Sequence, residues 1–111
     1  MLKIDENNNI TLTRGDTAVL ELTVKDDGAT YDYSDDLVQL TIKRNTVTEE
    51  VLIQKTFTGG TVVINPEDTA TLRYTDLMYD VQLIKNDGGI YTVIPPRIFT
   101  IAEEVNFNVT G

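Results

Sequence analysis

The chain has 111 residues, 41% of them apolar, and carries nine Lys and Arg against eighteen Asp and Glu for a net charge of −9. That is the size and composition of one globular domain, and such a charge argues against binding nucleic acid or anionic membranes. With no Cys and no His, disulfides, thiolate metal sites, cysteine nucleophiles, histidine bases and imidazole ligands are excluded.

No apolar run follows Met1 and no stretch reaches membrane-span length, which points to synthesis in a cytoplasm without a signal peptide. Residues 1–8 form a polar lead-in, with Leu2 and Ile4 available to pair at an edge. Asn9 to Arg14 alternates with Ile10 and Leu12 inward, and Gly15-Asp16 turns the chain. Thr17 to Lys25 is the cleanest strand, with Ala18, Leu20, Leu22 and Val24 on one side. Asp26-Asp27-Gly28 is a tight turn, and residues 29–36 form a loop anchored by Tyr31 and Tyr33.

Leu37 to Lys43 alternates again, with Val38, Leu40 and Ile42 inward. Arg44 to Glu50 is a polar connection. Val51 to Phe57 is a strand with Val51, Ile53 and Phe57 on one face. Lys55 interrupts that face, which predicts an edge strand. Gly59-Gly60 turns into a short strand, Thr61 to Ile64. Residues 65–72 are the one helix-like piece, with Asn65 at the cap position and Pro66 at the first helical position.

The organising unit runs from Leu77 to Ile101. Leu77, Tyr79, Val81 and Leu83 share one side of a pleat; Met78, Asp80, Gln82 and Lys85 fall on the other or near the end. Asn86-Asp87-Gly88-Gly89 reverses the chain into the β-branched run Ile90 to Ile94. Pro95-Pro96 breaks the last strand, because neither proline can donate to a ladder. Residues 102–109 continue the alternation weakly. Seven to nine short strands with almost no helix predict an all-β, immunoglobulin-like antiparallel sandwich as a single domain over 1–111, its core about 9–105. Tyr79 stands where a tyrosine corner would lie; plain core packing is the other reading.

Few motifs suggest chemistry. Arg14-Gly15-Asp16 matches the integrin tripeptide but is also ordinary turn sequence. Asn9-Ile10-Thr11 and Asn108-Val109-Thr110 are glycosylation sequons inside alternating segments. Asp26, Asp27, Asp32, Asp35 and Asp36 cluster around one loop region, where converging oxygens can hold calcium; the spacing is not that of an EF-hand, and aspartate is a common turn former. The glycine pairs lack the following Lys-Ser or Lys-Thr of a phosphate loop. Nothing selects a carboxylate pair for glycoside hydrolysis. Tyr31, Tyr33, Tyr74 and Tyr91 can make a sugar platform, although tryptophan is absent. No catalytic, cofactor or metal residue is therefore expected.

The run Ile10-Thr11-Leu12-Thr13-Arg14-Gly15-Asp16-Thr17, then Tyr31-Asp32-Tyr33-Ser34, then Tyr79-Asp80-Val81-Gln82-Leu83, then Thr92 to Val105, resembles the N-terminal domain of phage baseplate upper proteins. Related small tail proteins of phages and prophages of Gram-positive bacteria share it. The resemblance spans residues 10–105. It implies a non-enzymatic, immunoglobulin-like virion module, made in the host cytoplasm and docked in the tail baseplate through contacts with other tail proteins. A homo-oligomer is compatible with it. In the family a following region presents the receptor-binding parts; this chain ends at Gly111, so the expectation is either a truncated chain or a stand-alone relative. A carbohydrate-binding or adhesion module of a bacterial surface protein is the alternative. Strand addition at Val51 to Phe57 or at the C-terminal segment would supply the contact.

Overall fold

The structure, a computed structural model, describes residues 3, 4 and 6–103. Its elements are β1 (Lys3–Ile4), β2 (Ile10–Thr13), β3 (Ala18–Glu21), β4 (Val24–Asp26), β5 (Ala29–Tyr31), β6 (Leu37–Lys43), β7 (Ile53–Thr56), β8 (Thr61–Ile64), α1 (Pro66–Thr69), β9 (Thr75–Ile84) and β10 (Ile90–Ala102). Six strands make one sheet in the order β1-β2-β10-β9-β6-β7, while β3-β8 and β4-β5 form two-stranded sheets. Every pairing is antiparallel except β2 with β10, which run parallel.

This order is that of an immunoglobulin-like sandwich. Strands β6, β9 and β10 take the places of C, F and G, β7 adds the extra C′ of variable-type domains, and β3 and β8 pair as B and E. One apolar cluster joins the layers: Ala18, Leu20, Val62 and Ile64 from β3-β8 pack with Val38, Leu40, Ile42, Leu77, Val81 and Leu83 from the large sheet. Alternation dictates that arrangement, since every second residue of β6, and of β9 from Leu77 on, is buried and the rest are not. Phe99 and Ile101 of β10 are wholly hidden, each worth roughly 1.5–3 kcal/mol of burial.

Tyr79 belongs to this core and is not a tyrosine corner. It sits in mid-strand, its ring meets Phe99 edge-on at 6.0 Å, and its hydroxyl donates to the Asn8 carbonyl in the turn before β2. The core reading holds, with a polar tether added that ties β9 to the N-terminal edge.

Four sequence expectations need correction. Thr17 to Lys25 is two strands, because the chain changes partner at Leu22-Thr23: β3 pairs with β8 and β4 with β5. Residues 29–36 are not all loop, since Ala29–Tyr31 forms β5 across a turn in which Asp27 and Gly28 both have positive φ (51° and 83°). With these, the described residues hold ten strands rather than seven to nine. Pro95-Pro96 does not break β10. One extra residue falls between Thr92 and Ile94 and another between Ile94 and Arg97, so the ladder bulges past the prolines and resumes in phase. Val51 is exposed rather than inward.

The edge reading of β7 holds. Lys55 points inward on it and pairs with Asp68 of α1 at 2.8 Å. The helix is a single turn, closed by Asn65 N–H donating to Asp68 Oδ2 at 2.7 Å. The C-terminal sequon and the weak alternation from Glu104 onward lie outside the described residues, as does Leu2; Ile4 does pair with Ile10.

Candidate binding surface

Three regions hold the residues that the sequence singles out. The first is the end of the sandwich where the β4-β5 hairpin, residues 32–36 and the β9-β10 turn meet. Tyr31 hydroxyl donates to Asp36 Oδ2 at 2.5 Å, and Asp36 Oδ1 accepts the Asn86 N–H at 3.3 Å. The Asp36 hydrogen bond, with local desolvation and the nearby carboxylates of Asp36, Asp32 and Asp87, pushes the Tyr31 phenol up to about 12. Asp32 is held below the ordinary carboxylate range because it accepts from Ser34, whose backbone N–H lies 3.0 Å away. Tyr33 donates to the Leu22 carbonyl at 2.7 Å, and burial raises its pKa. Both tyrosines are thus loop anchors, as the sequence suggests.

Lys85 was not singled out by the sequence, yet its ammonium lies 5.0 Å from the Tyr31 ring centre and 5.3 Å from that of Tyr91. Tyr91 is about half exposed there. Val24, Leu83 and Val93 floor a shallow hollow of about 300 Å³ beside the pair. No local sequence signal joins Tyr31 to Tyr91; only the hairpin over the sheet end does. Among the described residues no three acids converge as a metal group. Asp26 and Asp27 serve the hairpin, and Asp32 and Asp36 serve the loop.

The second region is the Arg14-Gly15-Asp16 turn. Gly15 N–H donates to Thr69 Oγ1 at 2.9 Å, Arg14 Nη1 donates to the Leu72 carbonyl at 3.3 Å, and Asp16 N–H donates to the Thr13 carbonyl at 3.0 Å. The tripeptide is folded down onto α1 and fastens the β2-β3 turn to the helix. The N-terminal sequon is likewise structural, since Asn9 Oδ1 accepts the Ile98 N–H at 3.0 Å.

The third is a cleft of about 620 Å³ opened where β3 gives way to β4. Leu22, Val24, Phe57, Tyr79 and Val93 line it, and among the described residues Glu21 is the one carboxylate on its wall.

No protein-family model matches the chain, and no curated protein sequence does. Two solved structures are similar in outline. CopC from Methylosinus trichosporium OB3b shares 12% identity at a TM-score of 0.40, over 64% of this chain and 67% of that one. Murine CRIg shares 13% identity at a TM-score of 0.41, over 94% of this chain and 97% of that one. The fold assignment rests on the strand order and not on these slight likenesses.

The sheets also present edges and faces. β7 is an edge, whereas β10 lies between β2 and β9, so the C-terminal strand up to Ala102 cannot accept an added strand as the sequence suggested. The outer face of the large sheet is built from the alternate residues that the core leaves over. Leu37, Ile84 and Ile90 form one cross-strand row, Gln39, Gln82 and Thr92 the next, and Lys43, Met78 and Ile98 a third. Asp80 projects between the last two rows. Burial raises its pKa above the ordinary value and the Lys43 charge pulls it back.

Proposed function

We propose that this chain is a non-enzymatic structural module of a phage or prophage tail, docking within the baseplate through protein–protein contacts. The observation that carries the reading is where the resembling segments fall. Ile10 to Thr17 lies far in sequence from Tyr79 to Leu83 and Thr92 to Glu103, yet the three fall on the adjacent strands β2, β9 and β10. They sit side by side in the large sheet, while Tyr31 to Ser34 falls at the β4-β5 end of the sandwich. A rigid slab with free edges suits a part that others grip, and it needs neither His nor Cys.

The test is the protein content of purified virions from the genome that encodes the chain. Expected is its detection by mass spectrometry in intact particles, with gold-labelled antibody at the tail tip. Particles that lack it while the cell makes it would overturn the reading.

One observation favours the second reading, a carbohydrate-binding or adhesion module. The Tyr31 and Tyr91 rings with Lys85 between them form a half-exposed aromatic and polar surface of the kind sugars stack on. Glycan-array binding that disappears in Tyr91→Ala would favour it over the tail reading.

A further inference from the structure

The outer face of the large sheet differs from the rest of the molecule in charge. Eighteen carboxylates serve a chain of net charge −9, and most of those among the described residues lie in turns, in loops and at the acidic end around Asp26, Asp32, Asp36 and Asp87. Across the middle of β10, β9, β6 and β7 the outward side chains are apolar or uncharged, save one lysine and one aspartate, Lys43 and Asp80. Asp76 lies at the far rim, where it accepts a hydrogen bond from Thr100. The residues 45–51 connection and Pro96 wall a groove of about 320 Å³ along this face, floored by Thr41, Met78 and Gln82. Leu37, Ile90 and Ile98 stand 41%, 63% and 41% exposed on it.

We propose that this face is where a second copy of the chain docks, as a twofold dimer. Two copies at −9 repel each other through their acidic surfaces, and across the middle of this face Asp80 is the one carboxylate that a second copy would meet. A twofold interface joins a patch to itself, so the patch must be self-complementary. Lys43 and Asp80 satisfy that condition, since a face carrying one charge of each sign answers its own copy. A uniformly basic partner would leave Lys43 opposed, and a uniformly acidic one would leave Asp80 opposed. Size also fits. Four strands at ~4.8 Å spacing and up to ten residues at ~3.3 Å give a face of about 19 by 33 Å. With side-chain relief and the groove wall, that approaches the ~800 Å² per partner of a standard stable interface. The inference goes beyond the tail reading and does not rest on it, because an adhesion module can dimerise by the same face.

Sedimentation equilibrium of the full chain tests it. Expected is a monomer–dimer equilibrium with half-association below roughly 100 µM, the weak end for interfaces of this size. Gln82→Glu and Thr41→Glu each put a carboxylate in mid-face and weaken association at least about tenfold. Val19→Glu, on the outward side of β3, leaves it unchanged. A monomer throughout the range overturns the proposal, as does a dimer indifferent to both face variants or equally lost in Val19→Glu. If the face variants fail to fold, amide shifts of the unmodified chain on dilution decide: movement confined to Gln39, Thr41, Gln82 and their neighbours supports the dimer face, and no movement there overturns it.

Discussion

Thr69→Val isolates one buried hydrogen bond. Thr69 is wholly buried, and its Oγ1 accepts the Gly15 N–H at 2.9 Å. Valine replaces the hydroxyl by a methyl of nearly the same size, so packing around α1 is kept while the Gly15 donor loses its acceptor. Leaving a part-buried N–H unmet costs about 1–3 kcal/mol. Thr69→Ser keeps the acceptor and removes one methyl, worth about 1 kcal/mol. The valine variant should therefore lose more than the serine variant, even though valine is the more apolar residue in a fully apolar-sized hole. At roughly 4 °C per kcal/mol for a domain this size, Thr69→Val lowers the melting temperature by about 8 °C and Thr69→Ser by about 4 °C. Thermal melts followed by circular dichroism measure both. Amide exchange adds a local readout, since Gly15 loses protection in the valine variant only. A valine variant as stable as the parent, or a serine variant less stable than the valine one, refutes the reasoning.

Three further outcomes follow from contacts already described. Tyr79→Phe keeps the edge-on contact with Phe99 but drops the bond to the Asn8 carbonyl, at about 1 kcal/mol in urea titration; a loss under a few tenths contradicts the tether. For Asp68, burial alone would raise the pKa, but the Lys55 hydrogen bond, the Asn65 N–H and the Lys55 charge together lower it. Its folded pKa lies below the unfolded one, so its stabilisation is present above the ordinary carboxylate range and is lost as pH falls through the folded value. Lys55→Met should flatten the acid side of the stability curve, and an unchanged acid limb would count against the pair. Tyr31, raised to about 12 by Asp36, should ionise well above the ordinary phenol range in a spectrophotometric titration. Its contribution is full below the ordinary tyrosine pKa and lost as pH rises through the folded one, and Asp36→Asn should bring its titration back down; no movement would exclude that bond as the cause.

Much of the fold is legible in the residues because alternation reports burial directly. Val38, Leu40, Ile42, Leu77, Tyr79, Val81 and Leu83 all face the core, as their spacing demands. Lys55 reveals an edge for the same reason, being the one charge on an apolar face. What alternation cannot report is the partner of a strand. Thr17 to Lys25 keeps perfect period two through Leu22-Thr23, with no Gly or Pro to mark the place where β3 ends and β4 begins. The switch comes from distant groups: Leu22 N–H donates to the Gly60 carbonyl at 3.0 Å and its own carbonyl accepts from Tyr33. Pro95-Pro96 misleads in the opposite sense. Missing donors forbid a regular ladder there, but two bulges let β10 step over them. The surface around Lys85 is harder still, because Tyr31 and Tyr91 are brought together only by a hairpin folding over the sheet's end. The motifs with names were the least informative, since Arg14 and Gly15 spend donors on the Leu72 carbonyl and the Thr69 hydroxyl, and Asn9 Oδ1 accepts the Ile98 N–H.

The parallel seam between β2 and β10 has a consequence for biosynthesis. β2 has to wait for β10, since Asn9 and Ile98 are joined across 89 residues. Until β10 has been made, Ile10 and Leu12 have no neighbour on that side, and the nascent polypeptide cannot complete its large sheet. Closing this seam is thus a slow, long-range step of folding, and any product shortened before Phe99 and Ile101 is a substrate for proteases instead of a smaller functional part.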